Sequence, residues 1–418
     1  MKGFILVLVL FALFSRGFSM TLEEVIELAV KNSKPLLSAR RETEAAKLEL
    51  SAQRQSFLPT LFLSYGGTIQ AQPQEFELGF LGFEDFQTSR RTFQNLRFGA
   101  RFQLFDGGLR NSLTEAATYS LSISKLQEVE KEQSIKLEAA LAFFDALSTK
   151  ELVEVQKKQL ESINAILTQR EAFFKAGLIT VTEVLQARVR QSEALRELQR
   201  AEGQLRISLE NLKRLTGREV KDLNPPEMMP EPEPLERSLI KAQKRASLKI
   251  IEEQAKLLRA QRKAQISAIY PQINLEALYI YSDQNLAIKP RGNFQAGITL
   301  DFSIRGLEAI KRASAISERE RAVLANLEEQ RELIRLEILK AYEDYKVSLE
   351  NLKVARDNLK YAQELFRLSQ KQYENQIITG LELLEAEASL TQARKAEIVA
   401  KYDLFKSILR IKRQVGEL

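Results

Sequence analysis

The chain carries one pattern twice. Ala187, Ala194, Ala201 and Ser208 recur at seven-residue intervals, and Ala386, Ala393, Ala400 and Ser407 repeat those residue types in the same order 199 residues later. Thr180 and Glu183 return as Thr379 and Glu382, and Gly217 returns as Gly416. A tandem duplication of this length, built on a long heptad, excludes most ordinary folds and points to a symmetric helical assembly. The expected organisation is repeat 1 over 20–217, a Pro-rich linker over 218–234 and repeat 2 over 235–418.

Residues 1–19 read as a signal peptide: Lys2 supplies the positive start, Phe4 to Phe14 the apolar run, and Gly17 and Ser19 the small residues before a cut. The run is too short to cross a bilayer as a helix. No cysteine follows it, so no lipid anchor is expected. Without Cys there are no disulfides, and without Cys and His the composition argues against zinc and iron sites, thiol nucleophiles and His-based catalysis. No cofactor and no enzyme activity are expected. The net charge of +6 is spread over interleaved acids and bases, which suits a solvated helical surface rather than a nucleic-acid footprint. No later segment is apolar for long enough to be a transmembrane helix, but an exported chain can still enter a membrane as a β-barrel.

Thr21 and Glu24 form a capping-box pattern that opens a short helix ending near Pro35, and a second helix runs from about Leu36 to Phe57. After the linker, which has five prolines within Asn224 to Pro234, one helix leads to Tyr270 and Pro271. Past Pro59 and Pro271 the period becomes two. Leu61, Leu63, Tyr65 and Ile69 alternate with polar residues, as do Leu96, Phe98, Ala100, Phe102 and Leu104, across a loop at 71–92. Ile273 to Tyr281 and Phe294 to Ile304 repeat the alternation. Strands are expected at about 60–70, 93–105, 272–282 and 293–304. One apolar and one polar face fit a membrane barrel wall, with a sheet packed on a soluble core as the alternative. Because four strands cannot close a barrel, the chain must oligomerise, and a trimer supplies twelve strands. The lumen face would carry Arg97, Arg101, Glu276 and Asp301.

Two unbroken heptad stretches, about Gly108 to Lys175 and about Gly306 to Asn375, each predict a helix about 100 Å long at 1.5 Å per residue. The helices after the turns at about 176–180 and 375–379, Val181 to Thr216 and Leu381 to Val415, reach about 54 Å each, and those before the strands, Leu36 to Phe57 and about Leu248 to Ile269, add about 33 Å each. Stacked end to end, two short helices nearly match a long one, with the Thr21 helix and the linker as a belt. Small residues at one seam position suit many helices curved into a tube.

This order of elements, given twice, resembles the bacterial outer membrane efflux proteins, the TolC-like channel-tunnels. The most specific marks are Phe105-Asp106-Gly107-Gly108 after the second strand and the turn Ala176-Gly177-Leu178-Ile179-Thr180. The second copy departs at both, with Ser303-Ile304-Arg305-Gly306 and Gln376-Ile377-Ile378-Thr379. The resemblance implies a mostly α chain with a membrane β-barrel: coiled-coil hairpins and four strands per chain, assembled as a homotrimer with a twelve-strand barrel and a twelve-helix tunnel. It implies residence in the outer membrane, among its lipids, with a long periplasmic extension. It also implies a passive duct for efflux or type I secretion, opened by a periplasmic adaptor and an inner-membrane pump. The tip residues that would meet the adaptor are Gly177, Leu178, Thr180, Ile378 and Thr379. The acidic rings that narrow the family's tips fall at Glu382 and Glu385, where like charges around a threefold axis would attract cations. Thr379–Glu382 and Thr180–Glu183 also read as capping boxes, whereas Glu385 has no capping role. Tyr373, Glu183 and Thr182 match the family's tip lock, with a Tyr–carboxylate hydrogen bond expected. The lock's basic partner falls at Ile378, so a salt bridge there is absent or relocated. The competing reading is a periplasmic coiled-coil adaptor or scaffold.

Overall fold

The structure, a computed structural model, describes residues 19–76, 82, 86–220, 222–226, 228–286, 288–302 and 306–418. The expected signal peptide, all but Ser19, and the start of the second strand exit, Ser303 to Arg305, lie outside the described residues, as do 77–81 and 83–85 of the 71–92 loop. In chain order the elements are α1 (Leu22–Asn32), α2 (Lys34–Gln55), β1 (Thr60–Ile69), β2 (Glu75–Phe76), β3 (Phe86–Gln87), β4 (Thr92–Phe105), α3 (Leu109–Lys175), α4 (Val181–Thr216), α5 (Leu235–Ala242), α6 (Ala246–Ser267), β5 (Gln272–Ser282), β6 (Gly292–Asp301), α7 (Gly306–Glu374) and α8 (Gly380–Val415). The two long helices have 67 and 69 residues, and each helix after a turn has 36. No helix among the described residues is long and apolar enough to cross a membrane.

The chain divides into two compact units. One holds the chain up to Arg40 with Gln127–Leu248 and Glu329–Leu418. Its core gathers Phe143, Phe144 and Leu147 of α3, Leu212 of α4, Tyr402, Phe405 and Ile408 of α8, and Val25 and Ala29 of α1. Helix α1 is opened by the expected box: Glu24 N donates to Thr21 Oγ1 at 3.3 Å, and Thr21 N donates to Glu24 Oε2 at 2.9 Å. Its far end is tied to α4 where Asn32 Nδ2 donates to the Thr216 carbonyl. Pro35 lies in the first turn of α2, where a missing N–H costs nothing. The small seam faces inward, with Ala187, Ala194, Ala386, Ala393 and Ser407 all buried. The helix expected at about Leu248 to Ile269 is α6, and a short helix that was not expected, α5, precedes it across Gln243–Arg245, where no Pro or Gly announces a stop.

The second unit is Arg41–Leu126 with Lys249–Glu328. It contains one antiparallel sheet in the order β1-β4-β5-β6, and within the 71–92 segment β2 pairs with β3. The first strand exit is built by Asp106. Its carboxylate accepts from Gly108 N at 2.9 Å, Arg110 N at 3.1 Å and Arg110 Nε at 2.7 Å, capping α3. Burial pushes the Asp106 pKa up, but the Arg110 side chain and the Arg110 and Gly108 N–H groups outweigh it and hold the carboxyl below its ordinary value. Gly107 is required twice over. Its φ is 66°, and a Cβ there would meet the Ser267 carbonyl at 2.7 Å.

Candidate functional site: the hairpin tips and the two faces of the sheet

In the second unit, register sorts the strand residues by face. The pairs Ser64↔Arg97, Arg101↔Glu276, Asn274↔Thr299 and Gln272↔Asp301 lie on one side, so Arg97, Arg101, Glu276 and Asp301 share a face as expected. Leu61↔Ala100, Leu63↔Phe98, Phe98↔Tyr279 and Leu275↔Ile298 lie on the other. The polar face is less pure than alternation implies, because Phe62, Phe93, Leu278 and Ile280 also lie on it. Arg101 Nη2 pairs with Glu276 Oε1 at 3.1 Å and stacks near the Phe62 ring, while Asn274 Nδ2 donates to Asp301 at 3.1 Å. Strands β1 and β6 are exposed along nearly their whole length. Leu61 (79 % exposed), Leu63, Ile69, Phe294, Ile298 and Leu300 form a bare apolar surface. No layer among the described residues covers it, which is the wrong arrangement for a sheet packed on a soluble core.

In the first unit, two helical hairpins end in similar turns. After α3, Gly177 takes φ 72°, with Gly177 N donating to Phe174 O and Leu178 N to Phe173 O. After α7, Gln376 takes φ 58°, with Gln376 N donating to Tyr373 O and Ile377 N to Gln372 O. The second turn departs from the first in residue type but not in conformation, and a non-glycine residue carries the left-handed strain. Gly177, Leu178, Thr180, Thr182 and Thr379 are exposed. Ile378 turns inward against Ile166, Tyr373, Leu383 and Leu384, and Ile377 is the exposed neighbour.

The two capping boxes differ. Thr379 and Glu382 form theirs, Glu382 N donating to Thr379 Oγ1 at 3.3 Å and Thr379 N to Glu382 Oε2 at 2.7 Å. Thr180 makes no side-chain cap, so the box expected with Glu183 is absent. Beside it, Arg170 Nη1 donates to the Glu183 backbone carbonyl at 2.7 Å, and Glu183 Oε2 lies 2.8 Å from where a Cβ on Gly380 would sit. The expected Tyr373–Glu183 hydrogen bond is also absent, since the buried Tyr373 hydroxyl has no partner among the described residues. Burial raises the Tyr373 pKa, Arg170 lowers it and Glu183 raises it further. Glu385 is exposed and outside any cap.

Sequence reasoning missed two inward charges. Arg170 is fully buried, seven residues after buried Ile163 on the same heptad stripe, and a cation on that stripe was the available signal. Glu387, 3 % exposed, sits among Leu383, Leu384 and Leu390, accepting from Thr391 Oγ1 at 2.8 Å and from Gln159 Nε2 at 3.5 Å. Desolvation pushes its pKa up, against the Thr391 and Gln159 hydrogen bonds.

This arrangement has relatives. Residues 25–218 and 241–417 match the family described as Outer membrane efflux protein. The chain belongs to that family. It is 25 % identical over 204 residues to the outer membrane protein TolC of Vibrio cholerae serotype O1, a match spanning 48 % of this chain and 43 % of that relative. The chain thus spans under half the length of the curated relative it matches. A membrane protein of Pseudomonas aeruginosa superposes with TM-score 0.83 at 18 % identity, covering 95 % of this chain and 91 % of the other. The CmeC outer membrane channel of Campylobacter jejuni superposes with TM-score 0.80 at 17 % identity, covering 95 % and 85 %. The MtrE outer membrane channel of Neisseria gonorrhoeae, solved in its open state, does so with TM-score 0.75 at 19 % identity, covering 94 % and 88 %. Likeness at these identities speaks for the fold.

Proposed function

We propose that this efflux protein is a passive exit duct that works as a homotrimer, built from two tandem repeats. Three four-strand sheets close one twelve-strand barrel in outer membrane lipid. The hairpins form a twelve-helix periplasmic tunnel, opened at its tips by a periplasmic adaptor and an inner-membrane pump. The observation that carries this is the sheet. One face is bare and apolar, the other holds Arg97, Arg101, Glu276 and Asp301, and β1 and β6 are free edges. A free β6 beside the free β1 of the next copy continues the antiparallel order, and closure removes every edge. The helices support assembly too. Val347, Val354, Tyr361 (69 % exposed) and Leu368 recur every seven residues as an uncovered stripe on α7, the pattern of a seam awaiting another helix. At the tip, Glu385 forms a cation-attracting ring, joined by Glu382 beyond its capping work, and Gly177, Leu178, Thr180 and Thr379 offer the adaptor its contact.

Electron microscopy of the detergent-purified protein tests the assembly, and a threefold cylinder ending in a barrel is expected. A thin rod or a soluble particle without a barrel would favour the adaptor or scaffold reading. For the gate, Glu385→Gln should lower cation selectivity in planar bilayers, and unchanged selectivity would remove Glu385 from it.

A further inference from the structure

Arg170 is the least comfortable side chain in the first unit. It is fully buried, yet its Nε and Nη2 have no hydrogen-bond partner among the described residues. Its one bond, Nη1 to the Glu183 carbonyl, stays inside the α3–α4 hairpin. The rest of the guanidinium faces the other hairpin. Its Cζ lies 5.9 Å from the Tyr373 ring centroid, and a Cβ on Gly380 would meet Nη2 at 2.2 Å and Cζ at 2.6 Å. Tyr373 brings a third unpartnered group, its hydroxyl, to the same place. The twin positions are complementary: 199 residues on, Arg170 becomes Ser369, and 199 residues before Gly380 stands Val181. One copy supplies the bulk and the other the gap.

From this geometry, and resting on the reading of the tips as the gate, we propose that Arg170 is a spring that biases the tip toward opening, opposed by the apolar cluster around Leu383. With Gly380 seated on the guanidinium, two N–H groups and the Tyr373 hydroxyl are cut off from water without replacement, which disfavours that state. Moving the start of α8 away hydrates all three at once and leaves the Arg170–Glu183 bond intact. The Glu183 carboxylate, free of capping duty, is beside the cation to receive it. Ile166, Tyr373, Leu383 and Leu384, with Phe173, Phe366 and Ile378 packed against them, pull the other way. The resting tip is thus held shut by apolar contact and loaded by one buried cation, so a partner needs to supply only the difference.

The test is single-channel recording of the full-length purified channel in planar bilayers without partners. Arg170→Met keeps the length of the stem and removes every N–H group, and its open probability should fall roughly tenfold. A rise would make Arg170 a strut that holds the tip shut, and no change would make it a bystander; either overturns the spring. Gly380→Ala drives a methyl into the guanidinium and should raise open probability, but much less in the Arg170→Met background. Should Arg170→Met fail to assemble, Gly380→Ala decides alone, and wild-type opening there overturns the proposal. A protein that gives no conductance steps even as Gly380→Ala defeats the duct reading and the spring with it. Normal steps that ignore both substitutions defeat only the spring.

Discussion

Adjacent residues on β6 distinguish a lipid-facing sheet from one in water. Ile298 is 68 % exposed on the apolar face opposite Leu275, and Thr299 points to the other face opposite Asn274, two residues from Asp301. In a soluble protein an exposed Ile tolerates Arg within about 0.5 kcal/mol. In a barrel wall, Arg on the lipid face costs about 2–4 kcal/mol at the bilayer midplane and less toward the rims. Ile298 lies between the centre and the end of its strand, so about 2 kcal/mol per chain is expected for Ile298→Arg. That is roughly a thirtyfold loss in the ratio of inserted to unfolded chain. Thr299→Arg puts the same charge on the wet face near a carboxylate, at a cost below about 0.5 kcal/mol. Both variants would be followed by flotation with lipid vesicles across a guanidinium series. The expected result is a clear drop in midpoint for Ile298→Arg and a wild-type midpoint for Thr299→Arg. Equal losses, or a harmless Ile298→Arg, would refute the assignment of faces, and with it the barrel.

Two further outcomes test the tip. Thr379→Ala should lower the thermal stability of the α7–α8 hairpin region by about 1 kcal/mol, whereas Thr180→Ala should change almost nothing, because only Thr379 caps its helix; equal effects in calorimetry would contradict the difference between the two turns. Glu387 has a folded-state pKa raised by burial, so the native state holds its proton more tightly than the unfolded chain. Its contribution to stability is full below the ordinary Glu pKa and is lost as pH rises through the raised folded value. Glu387→Gln should remove that loss, giving melting temperatures that fall less than wild type between about pH 4 and the raised value; parallel melting curves would show that Glu387 is not desolvated as the structure has it.

Long-range order was legible because it follows from periods. Heptads unbroken by Pro or Gly predicted both long helices to within a residue or two at each end, since only a breaker or a cap stops such a run. The alternation after Pro59 and Pro271 predicted four strands, and the strong alternation of large apolar residues predicted the bare face. What was not legible were departures from period. Phe62, Leu278 and Ile280 break the alternation, but strand pairing sets their face regardless of polarity. The stop at Gln243–Arg245 has neither Gly nor Pro to mark it. The pairing of β2 with β3 is two residues long, too short to impose a pattern.

The tip shows why a duplicated sequence misleads at its most informative positions. Matching Thr180–Glu183 to Thr379–Glu382 is sound as a comparison of letters, and as local chemistry both pairs suit a capping box. Only one pair can act on it, because in the folded chain the copies pack against each other and no longer share an environment. Glu183 gives its backbone carbonyl to Arg170, whose twin is Ser369, while the Glu382 carboxylate caps its helix. Gln376 shows the converse, since a shared backbone course forces a left-handed φ on a residue whose twin is glycine. Symmetry of sequence therefore locates the tips, and the breaks in that symmetry, Arg170 against Ser369 and Gly380 against Val181, locate the contact between hairpins. The physical reason is volume: a guanidinium can approach a helix backbone only where no Cβ stands in the way. Restoring symmetry with Gly380→Val should accordingly perturb the tip more than the reverse change Val181→Gly, because Val181 is exposed.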